Sequence, residues 1–241
     1  MPESPPGTLY VVSTPIGNLE DLTFRAARIL GEAGALACED TRRTRRIYER
    51  HGLPSPPIIF SHHEHNEEQA AARILRLLAE GTSVALCTNA GYPGVSDPGF
   101  RVTSAALEQG FRVEVIPGPG AVEAALVASG LPASSYTFKG FPPRKPGPRR
   151  RFLGLERELP HTLVLFESPH RLGKLLADAY EVLGDRLAAV CVELTKLFEE
   201  VHRGYLGDLA AQFAEVTIKG EVTVVIAGAN PKFARKTDED P

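Results

Sequence analysis

The stretch that decides the fold is Leu9-Tyr10-Val11-Val12, followed by Thr14-Pro15-Ile16-Gly17-Asn18 and then by a helix-like run from Thr23. The apolar run predicts a buried strand, and the amphipathic run predicts a helix. Between them, Pro15 offers no N–H and Gly17 tolerates positive φ, so we expect a tight turn at the carboxyl end of the strand. In an open α/β sheet, ligands bind at that end.

The same alternation continues through the first half of the chain. Strands are predicted at 9–13, 35–38, 58–61, 84–87 and 113–116, and helices at 23–34, 41–51, 66–80 and 99–109. Strands that alternate with helices at this spacing favour a parallel sheet covered on both faces. We therefore predict an N-terminal α/β domain over residues 8–117, with a five-stranded, mostly parallel sheet.

Four turn-forming residues, Pro117-Gly118-Pro119-Gly120, interrupt this pattern and mark a domain boundary. Beyond a helix at 121–130, strands are predicted at 136–139, 162–166, 188–192 and 222–227, and helices at 169–183 and 206–215. The connection before the last strand is compact, which favours a mixed sheet. The second predicted domain is α/β and spans 118–229, and the charged segment 230–241 is predicted to be disordered.

Composition limits the possible partners. The chain has 27 Lys+Arg against 30 Asp+Glu and a net charge of -3, so any basic surface must be local. Cys38, Cys87 and Cys191 lie far apart, as is typical of reduced thiols in a cytosolic protein. The N-terminus lacks a signal-peptide pattern, and no apolar run reaches the roughly 20 residues of a membrane helix. We expect a soluble, cytoplasmic protein that does not contact membranes.

Two segments concentrate positive charge. Glu39 and Asp40 follow the second predicted strand, and Asp40 suits a helix N-cap. The helix after them carries five arginines, several of which share a face: Arg42, Arg43, Arg45, Arg46 and Arg50. The second segment is predicted to be an exposed loop that opens a helix, and it contains Arg144, Lys145, Arg149, Arg150 and Arg151. Either it contacts phosphates, or it is a solvated connector.

Several common sites are disfavoured. The glycine-rich loops at 90–99 and 117–120 lack the dinucleotide fingerprint, because Glu123 stands where the third glycine belongs, and no triphosphate-binding loop is present. The histidines of 62–67 do not have zinc-ligand spacing, so we predict no metal and interpret them as hydrogen-bonding groups. No motif indicates a covalent nucleophile.

Eight short motifs occur in order along the chain. They are TPIGNLED (14–21), CEDTR (38–42), HEHNE (63–67), AGYP with DPG (90–99), PGPGA (117–121), ESPHR (167–171), ELTK (193–196) and KGE (219–221). Each is weak alone, but in this order and spacing they resemble the tetrapyrrole-methylase superfamily. Within it, the chain is similar to a branch of small-subunit ribosomal RNA methyltransferases, over about residues 9–228.

The resemblance implies a homodimer of two-domain α/β subunits, with S-adenosylmethionine held between the domains. It implies methylation of the ribose 2′-oxygen of a cytidine in the decoding centre of 16S rRNA, within the small ribosomal subunit. The sulfonium donor is already activated, so the protein has to align the methyl group, exclude water and accept the hydroxyl proton.

The motifs also imply site residues. The expected cofactor contacts are Pro15, Asn89, Ala90, Gly91, Val95, Gly120, Ala121, Ser168, Leu194 and Thr195. The expected RNA contacts are Arg42, Arg43, Arg46, His65, Asn66 and the basic residues of 144–151. The candidates for proton removal are Glu39, Asp40, Glu193 and Lys196, the last only if burial lowers its pKa.

The chain departs from the superfamily pattern at one loop. Where members usually have SDAGTP, residues 88–93 are Thr-Asn-Ala-Gly-Tyr-Pro, so Asn89 replaces a carboxylate and Tyr92 a smaller residue. Two alternatives remain open. One is a tetrapyrrole C-methyltransferase, although a porphyrin-like acid would not require two exposed basic segments. The other is a non-catalytic RNA-binding relative that has lost the cofactor.

Overall fold

The structure is a computed structural model that describes residues 5–216 and 218–236. It has two compact units, one that ends at Gly120 and one that begins at Ala121, whereas the boundary predicted from the sequence follows residue 117. In the described parts of the chain, no helix is both long enough and apolar enough to cross a membrane.

The first unit contains a five-stranded sheet whose paired strands are all parallel, as predicted. Its strands are β1 (Thr8–Val12), β2 (Ala35–Cys38), β3 (Ile58–Ser61), β4 (Val84–Cys87) and β5 (Arg112–Ile116), in the spatial order β3-β2-β4-β1-β5. Its helices are α1 (Phe24–Glu32), α2 (Thr41–His51), α3 (Glu67–Ala79) and α4 (Phe100–Glu108).

Helices cover both faces of the central strands of this sheet, β2, β4 and β1. Leu9 and Val11 belong to the core under α3 and α4, whereas Val12, Leu36 and Cys38 belong to the core under α1 and α2. Alternate strand residues point to opposite faces, so strands with helices on both sides must be apolar throughout. This explains why the central strands could be predicted from uninterrupted apolar runs.

The second unit contains a mixed five-stranded sheet in the order β6-β7-β10-β8-β9, which confirms the predicted fold class. Only the β6–β7 pair is parallel among those described. The strands are β6 (Tyr136–Phe138), β7 (Thr162–Glu167), β8 (Leu187–Val192), β9 (Glu200–Tyr205) and β10 (Val222–Ile226). The helices are α5 (Ala121–Ser129), α6 (Pro146–Gly154), α7 (Leu172–Leu183) and α8 (Leu206–Gln212).

Three features of this unit differ from the expectations drawn from the sequence. Strand β9 was missed because it is a polar edge strand, and charged residues are common on sheet edges. Residues 146–154 form α6, so the helix begins inside the segment that the sequence predicted to be an exposed loop opening a helix. In the predicted disordered tail, residues 231–233 form a 3-10 turn and Arg235 pairs with Asp185 at 2.7 Å. Residues 237–241 of that tail lie outside the described residues.

Arg149 corrects the interpretation of the second basic segment. Its side chain is 3% exposed and its Nε donates to Asp178 Oδ2 at 2.6 Å. Arg150 donates to the other oxygen of Asp178, and Arg149 also reaches the Arg144 carbonyl at 3.1 Å. Arg149 is therefore a buried link between α6 and α7, and we withdraw it as an RNA contact.

We expect Arg149→Met to lower the free energy of unfolding by about 3 kcal/mol, because it removes one partner of a buried ion pair. Arg150→Met should cost less than about 1 kcal/mol, because Arg150 is half exposed and Asp178 keeps Arg149. Urea unfolding of both variants measures the difference. Equal losses for the two variants would contradict the assignment.

Candidate functional site

The carboxyl ends of the five parallel strands of the first unit meet at one edge of its sheet. In spatial order, the segments that leave this edge begin at His62 after β3, Glu39 after β2, Thr88 after β4, Ser13 after β1 and Pro117 after β5. Most of the motifs in the first half of the sequence lie in these segments. We call this carboxyl edge the ligand edge, and it is the candidate site of the first unit.

Backbone hydrogen bonds join the loops after β1 and β4. The Thr14 N–H donates to the Gly91 carbonyl at 3.0 Å, and the Gly91 N–H donates back to the Thr14 carbonyl at 2.9 Å. The Thr14 hydroxyl also donates to the Thr88 carbonyl at 3.0 Å. Gly91 has φ of 70°, a region that glycine adopts without strain.

The loop after β5 joins the same assembly through two side chains. The Tyr92 hydroxyl lies 3.2 Å from the Gly118 carbonyl and 3.0 Å from the Gly118 nitrogen, and the Ser13 hydroxyl donates to the Pro119 carbonyl. A Cβ at Gly118 would lie 3.1 Å from the Ser13 side chain, so a glycine allows this close approach. Tyr92, noted in the sequence only for its bulk, links two loops.

Asn89 has one satisfied and one unsatisfied polar group. Its backbone N–H donates to Glu39 Oε2 at 3.2 Å. Its buried side-chain Oδ1 has no hydrogen-bond partner in the described chain. A buried acceptor without a partner costs about 1–3 kcal/mol, so such atoms call for an explanation. An acceptor at this edge fits a ligand that carries N–H or O–H donors, as S-adenosylmethionine does.

The predicted cofactor residues of the first unit lie close together. Pro15 and Gly91 are buried beside the Thr14–Gly91 bonds, Ala90 is half-buried between Asn89 and Gly91, and Val95 is 45% exposed further along the loop. Gly120 ends the segment after β5. In the second unit, Ala121 is the first residue of α5.

The structure corrects the sequence interpretation of His62, which treated it as one of the hydrogen-bonding groups of 62–67. Its side chain is fully buried, and within residues 5–216 and 218–236 neither ring nitrogen has a hydrogen-bond partner. Burial lowers the pKa of His62 below its ordinary value, although Glu67 opposes this. The ring is therefore neutral at pH 7. A histidine that directly follows an apolar strand on the ligand edge is a signal that could have identified it.

The arginines of α2 lie on two flanks of the helix. Arg42 pairs with Asp40 and Arg45 with Glu49 on one flank, while Arg50 on the other flank pairs with Glu20. Arg43 and Arg46 are exposed, and in the described chain neither forms an ion pair. Asp40 caps the helix by accepting the Arg42 N–H at 2.9 Å. Hydrogen bonds from Arg42 lower the pKa of Asp40, which makes Asp40 a poor proton acceptor.

In the loop after β3, the two predicted RNA contacts His65 and Asn66 differ in how accessible their polar groups are. His65 is exposed, with its Nε2 3.5 Å from Glu64. Asn66 is half-buried, and its side chain holds the loop together by accepting the His63 N–H and donating to the Ser61 carbonyl. His65 can reach a ligand from solvent, whereas the polar groups of Asn66 are used within the loop.

The ELTK segment of the second unit is an ion-paired turn with unusual backbone geometry. Glu193 and Thr195 have φ of 51° and 67°, a region that is uncommon for non-glycine residues and often marks functional sites. Lys196 Nζ lies 2.7 Å from Glu193 Oε1 and 3.0 Å from Glu221 Oε2. Leu194 is buried between the two strained residues.

This pairing corrects the expectation for Lys196. Burial favours its neutral form, but the hydrogen bonds to Glu193 and Glu221 outweigh that effect and raise the pKa of Lys196. Burial likewise raises the pKa of Glu193, but Lys196 and the Glu221 N–H outweigh it, so the Glu193 pKa is lowered. Lys196 stays protonated and Glu193 stays ionised at pH 7, so Lys196 is not a base.

Ser168 lies beside a buried carboxylate. Glu167, 2% exposed, ends the otherwise apolar strand β7 and accepts the Ser168 N–H at 2.7 Å and the Arg171 Nε at 2.6 Å. Its second oxygen is buried without a partner in the described residues. Sequence reasoning noted Ser168 but not Glu167, although a carboxylate closing an apolar strand was a visible signal.

The remaining predicted RNA contacts of the second unit are exposed. Arg144, Lys145 and Arg151 lie at the surface around α6, and Arg150 pairs with Asp178 and Glu181. No group of three His, Cys, Asp or Glu side chains within residues 5–216 and 218–236 is arranged to hold a metal ion.

Comparisons with known proteins agree with this architecture. The model of the tetrapyrrole (corrin/porphyrin) methylases matches residues 8–210. Ribosomal RNA small subunit methyltransferase I of Halalkalibacterium halodurans is 44% identical over 94% of this chain and 78% of its own length. The protein of that name from Thermotoga maritima is 40% identical, over 92% of this chain and 99% of its own length.

A solved structure has the same fold. The crystal structure of uroporphyrin-III-C-methyltransferase from Thermus thermophilus is 26% identical, with a TM-score of 0.62, over 91% of this chain and 94% of that chain. The chain therefore belongs to the tetrapyrrole methylase family, and within it to the group of ribosomal RNA small subunit methyltransferase I.

His62 makes stability depend on pH in a direction that can be calculated. Because its folded pKa lies below the unfolded value near 6.5, the unfolded state binds the proton more tightly. Above that pH, His62 does not lower the free energy of unfolding. Below it, the free energy of unfolding falls by up to about 1.4 kcal/mol per pH unit. We expect His62→Leu to gain stability relative to the wild type as pH falls from about 7.5 to 5.

Urea unfolding across this pH range measures the effect. His65→Leu is the matched control, since His65 is exposed in the same loop. Parallel pH curves for the wild type and His62→Leu would show that His62 is not the titrating group.

Proposed function

We propose that this protein is an S-adenosylmethionine-dependent methyltransferase of small-subunit ribosomal RNA. The observation that carries the proposal is its 44% identity, over 94% of the chain, to a protein named ribosomal RNA small subunit methyltransferase I. The acceptor implied by the resemblance is the ribose 2′-oxygen of a cytidine in the decoding centre of 16S rRNA. These relatives favour RNA over a tetrapyrrole as the substrate.

The strand-end edge of the first unit supports cofactor binding. In our proposal Pro15, Asn89, Ala90, Gly91 and Val95 contact the cofactor, together with Gly120 and with Ala121, Ser168, Leu194 and Thr195 of the second unit. When bound, S-adenosylmethionine supplies a methyl group activated by the adjacent positive sulfur. The linked loops supply fixed backbone positions, which lower the entropic cost of alignment.

Glu39 is the proton acceptor that the geometry favours. Asp40 is held by Arg42, Glu193 is held by Lys196, and Lys196 is itself protonated. Glu39 is half-buried at the ligand edge, and its Oε2 accepts the Asn89 N–H. In our proposal the Glu39 carboxylate takes the proton of the acceptor hydroxyl.

Two further features belong to the proposal. We infer that Arg42, Arg43, Arg46 and His65 contact RNA, since they are exposed beside the ligand edge. As the resemblance implies, we expect a homodimer that works in the cytoplasm.

We expect Glu39→Gln to lower kcat by at least about 100-fold, because the amide cannot accept the proton. Its Oε1 can still accept the Asn89 N–H, so the dissociation constant for S-adenosylmethionine should change little. Single-turnover methylation and calorimetry give the two quantities. Wild-type kcat in Glu39→Gln would remove Glu39 as the base.

The function itself is tested by methyl transfer. Small subunits from a strain that lacks the gene, mixed with the protein and methyl-labelled S-adenosylmethionine, should acquire label in 16S rRNA at a cytidine ribose. Gly91→Ala should reduce the transfer and the cofactor affinity, because alanine is strained at its positive φ and disturbs the bonds to Thr14.

Gly110→Ala is the matched control. Gly110 also has positive φ, 77°, but lies in the turn between α4 and β5, away from the carboxyl edge. Both variants should lose similar stability, and only Gly91→Ala should lose transfer. Absence of label in the RNA with the wild-type protein would contradict the proposed function.

A further inference from the structure

A cavity of about 410 Å³ opens between α2 and the edge strand β3. Its apolar lining comes from Leu36 of β2, Tyr48 of α2 and Ile59 of β3. The cavity exists because β3 is the edge strand of its sheet and α2 does not cover it fully, which leaves Ile59 44% exposed. Its size lies within the range of about 300–1,000 Å³ that is typical of small-ligand sites.

The rim of the cavity is polar and positively charged. It is formed by Thr41, Arg42, Arg45 and Ser55. In the described chain, the hydroxyls of Thr41 and Ser55 have no hydrogen-bond partners. Arg42 and Arg45 pair with acidic residues, but their side chains are 90% and 79% exposed. Such exposed pairs contribute only about 0–1 kcal/mol, so both guanidinium groups can turn to an incoming anion.

An apolar floor below two arginines has the chemistry of a nucleotide site. Proteins that read single-stranded RNA place unstacked bases on apolar, aromatic or guanidinium surfaces and hydrogen-bond their edges. Arginine also binds phosphate through paired N–H groups. Bases within a duplex are stacked and paired, so only an unpaired base can reach Ile59, the exposed apolar side chain of the lining.

We propose that this cavity binds one unpaired nucleotide of the RNA substrate. The base lies against Ile59, the hydroxyls of Thr41 and Ser55 contact its polar edge, and Arg42 and Arg45 hold the adjacent phosphate. This inference rests on the proposed function, which supplies the RNA. It adds a subsite for a nucleotide that is held on α2 without being methylated.

The test measures binding of a short fluorescein-labelled single-stranded RNA of mixed sequence, and of the same RNA as a duplex. The wild-type protein should prefer the single strand. Ile59→Glu places a carboxylate against the base and phosphate, and should weaken single-strand binding by about tenfold or more. Arg45→Ala should lower the slope of log affinity against log salt by about 0.7.

Arg28→Ala is the matched control, because Arg28 forms an exposed pair with Glu32 on α1 at the same spacing as Arg45 and Glu49. It should bind RNA as the wild type does. The thermal unfolding midpoint of every variant is measured as a check on folding. Arg45→Ala, at an exposed position, keeps the test valid if Ile59→Glu is unstable.

Wild-type affinity for the single strand in both Ile59→Glu and Arg45→Ala would overturn the inference. So would a change of oligomeric state in Ile59→Glu with unchanged RNA affinity, which would assign the cavity to a second copy of the chain. Failure of the proposed function is seen separately, as absence of methyl transfer to 16S rRNA by the wild-type protein.

Discussion

The two backbone hydrogen bonds between Thr14 and Gly91 are the contacts on which the ligand edge of the first unit depends. At the end of a parallel strand, backbone N–H and C=O groups lose their sheet partners and need new ones. Here the loops after β1 and β4 satisfy each other, and Tyr92 extends the link to the loop after β5. Three loops thereby form one surface with fixed backbone positions.

The same edge retains polar groups that the protein itself does not satisfy. Asn89 Oδ1 and both ring nitrogens of His62 are buried without partners among the described residues, and in the second unit so is Glu167 Oε2 at the end of β7. Each such atom lowers stability unless a ligand or water satisfies it. Their position at strand ends is consistent with the proposed ligand site.

Most of the fold could be predicted from the sequence because buried parallel strands are continuously apolar. The missed strand β9 is polar because it lies at an edge, so neither its composition nor its periodicity was informative. The charge of Arg149 indicated a surface residue, and only its spatial partner Asp178 explains its burial. Contacts between segments distant in sequence cannot be predicted from composition.

The candidate site likewise combines features that local sequence predicts with tertiary contacts that it does not. The motifs correctly indicated which loops follow the strands, since this depends on local sequence. They did not indicate that Lys196 is held protonated by Glu193 and Glu221, or that Tyr92 contacts Gly118, because these are tertiary contacts. Protonation and loop linkage therefore required the structure.

Hydrogen–deuterium exchange with and without S-adenosylhomocysteine tests the central claim most directly. If the linked loops bind the cofactor, the ligand should slow exchange of amides in residues 13–16, 88–95 and 118–120, while the turn at Gly110 exchanges at an unchanged rate. Ligand binding without protection of these three loops would contradict the account.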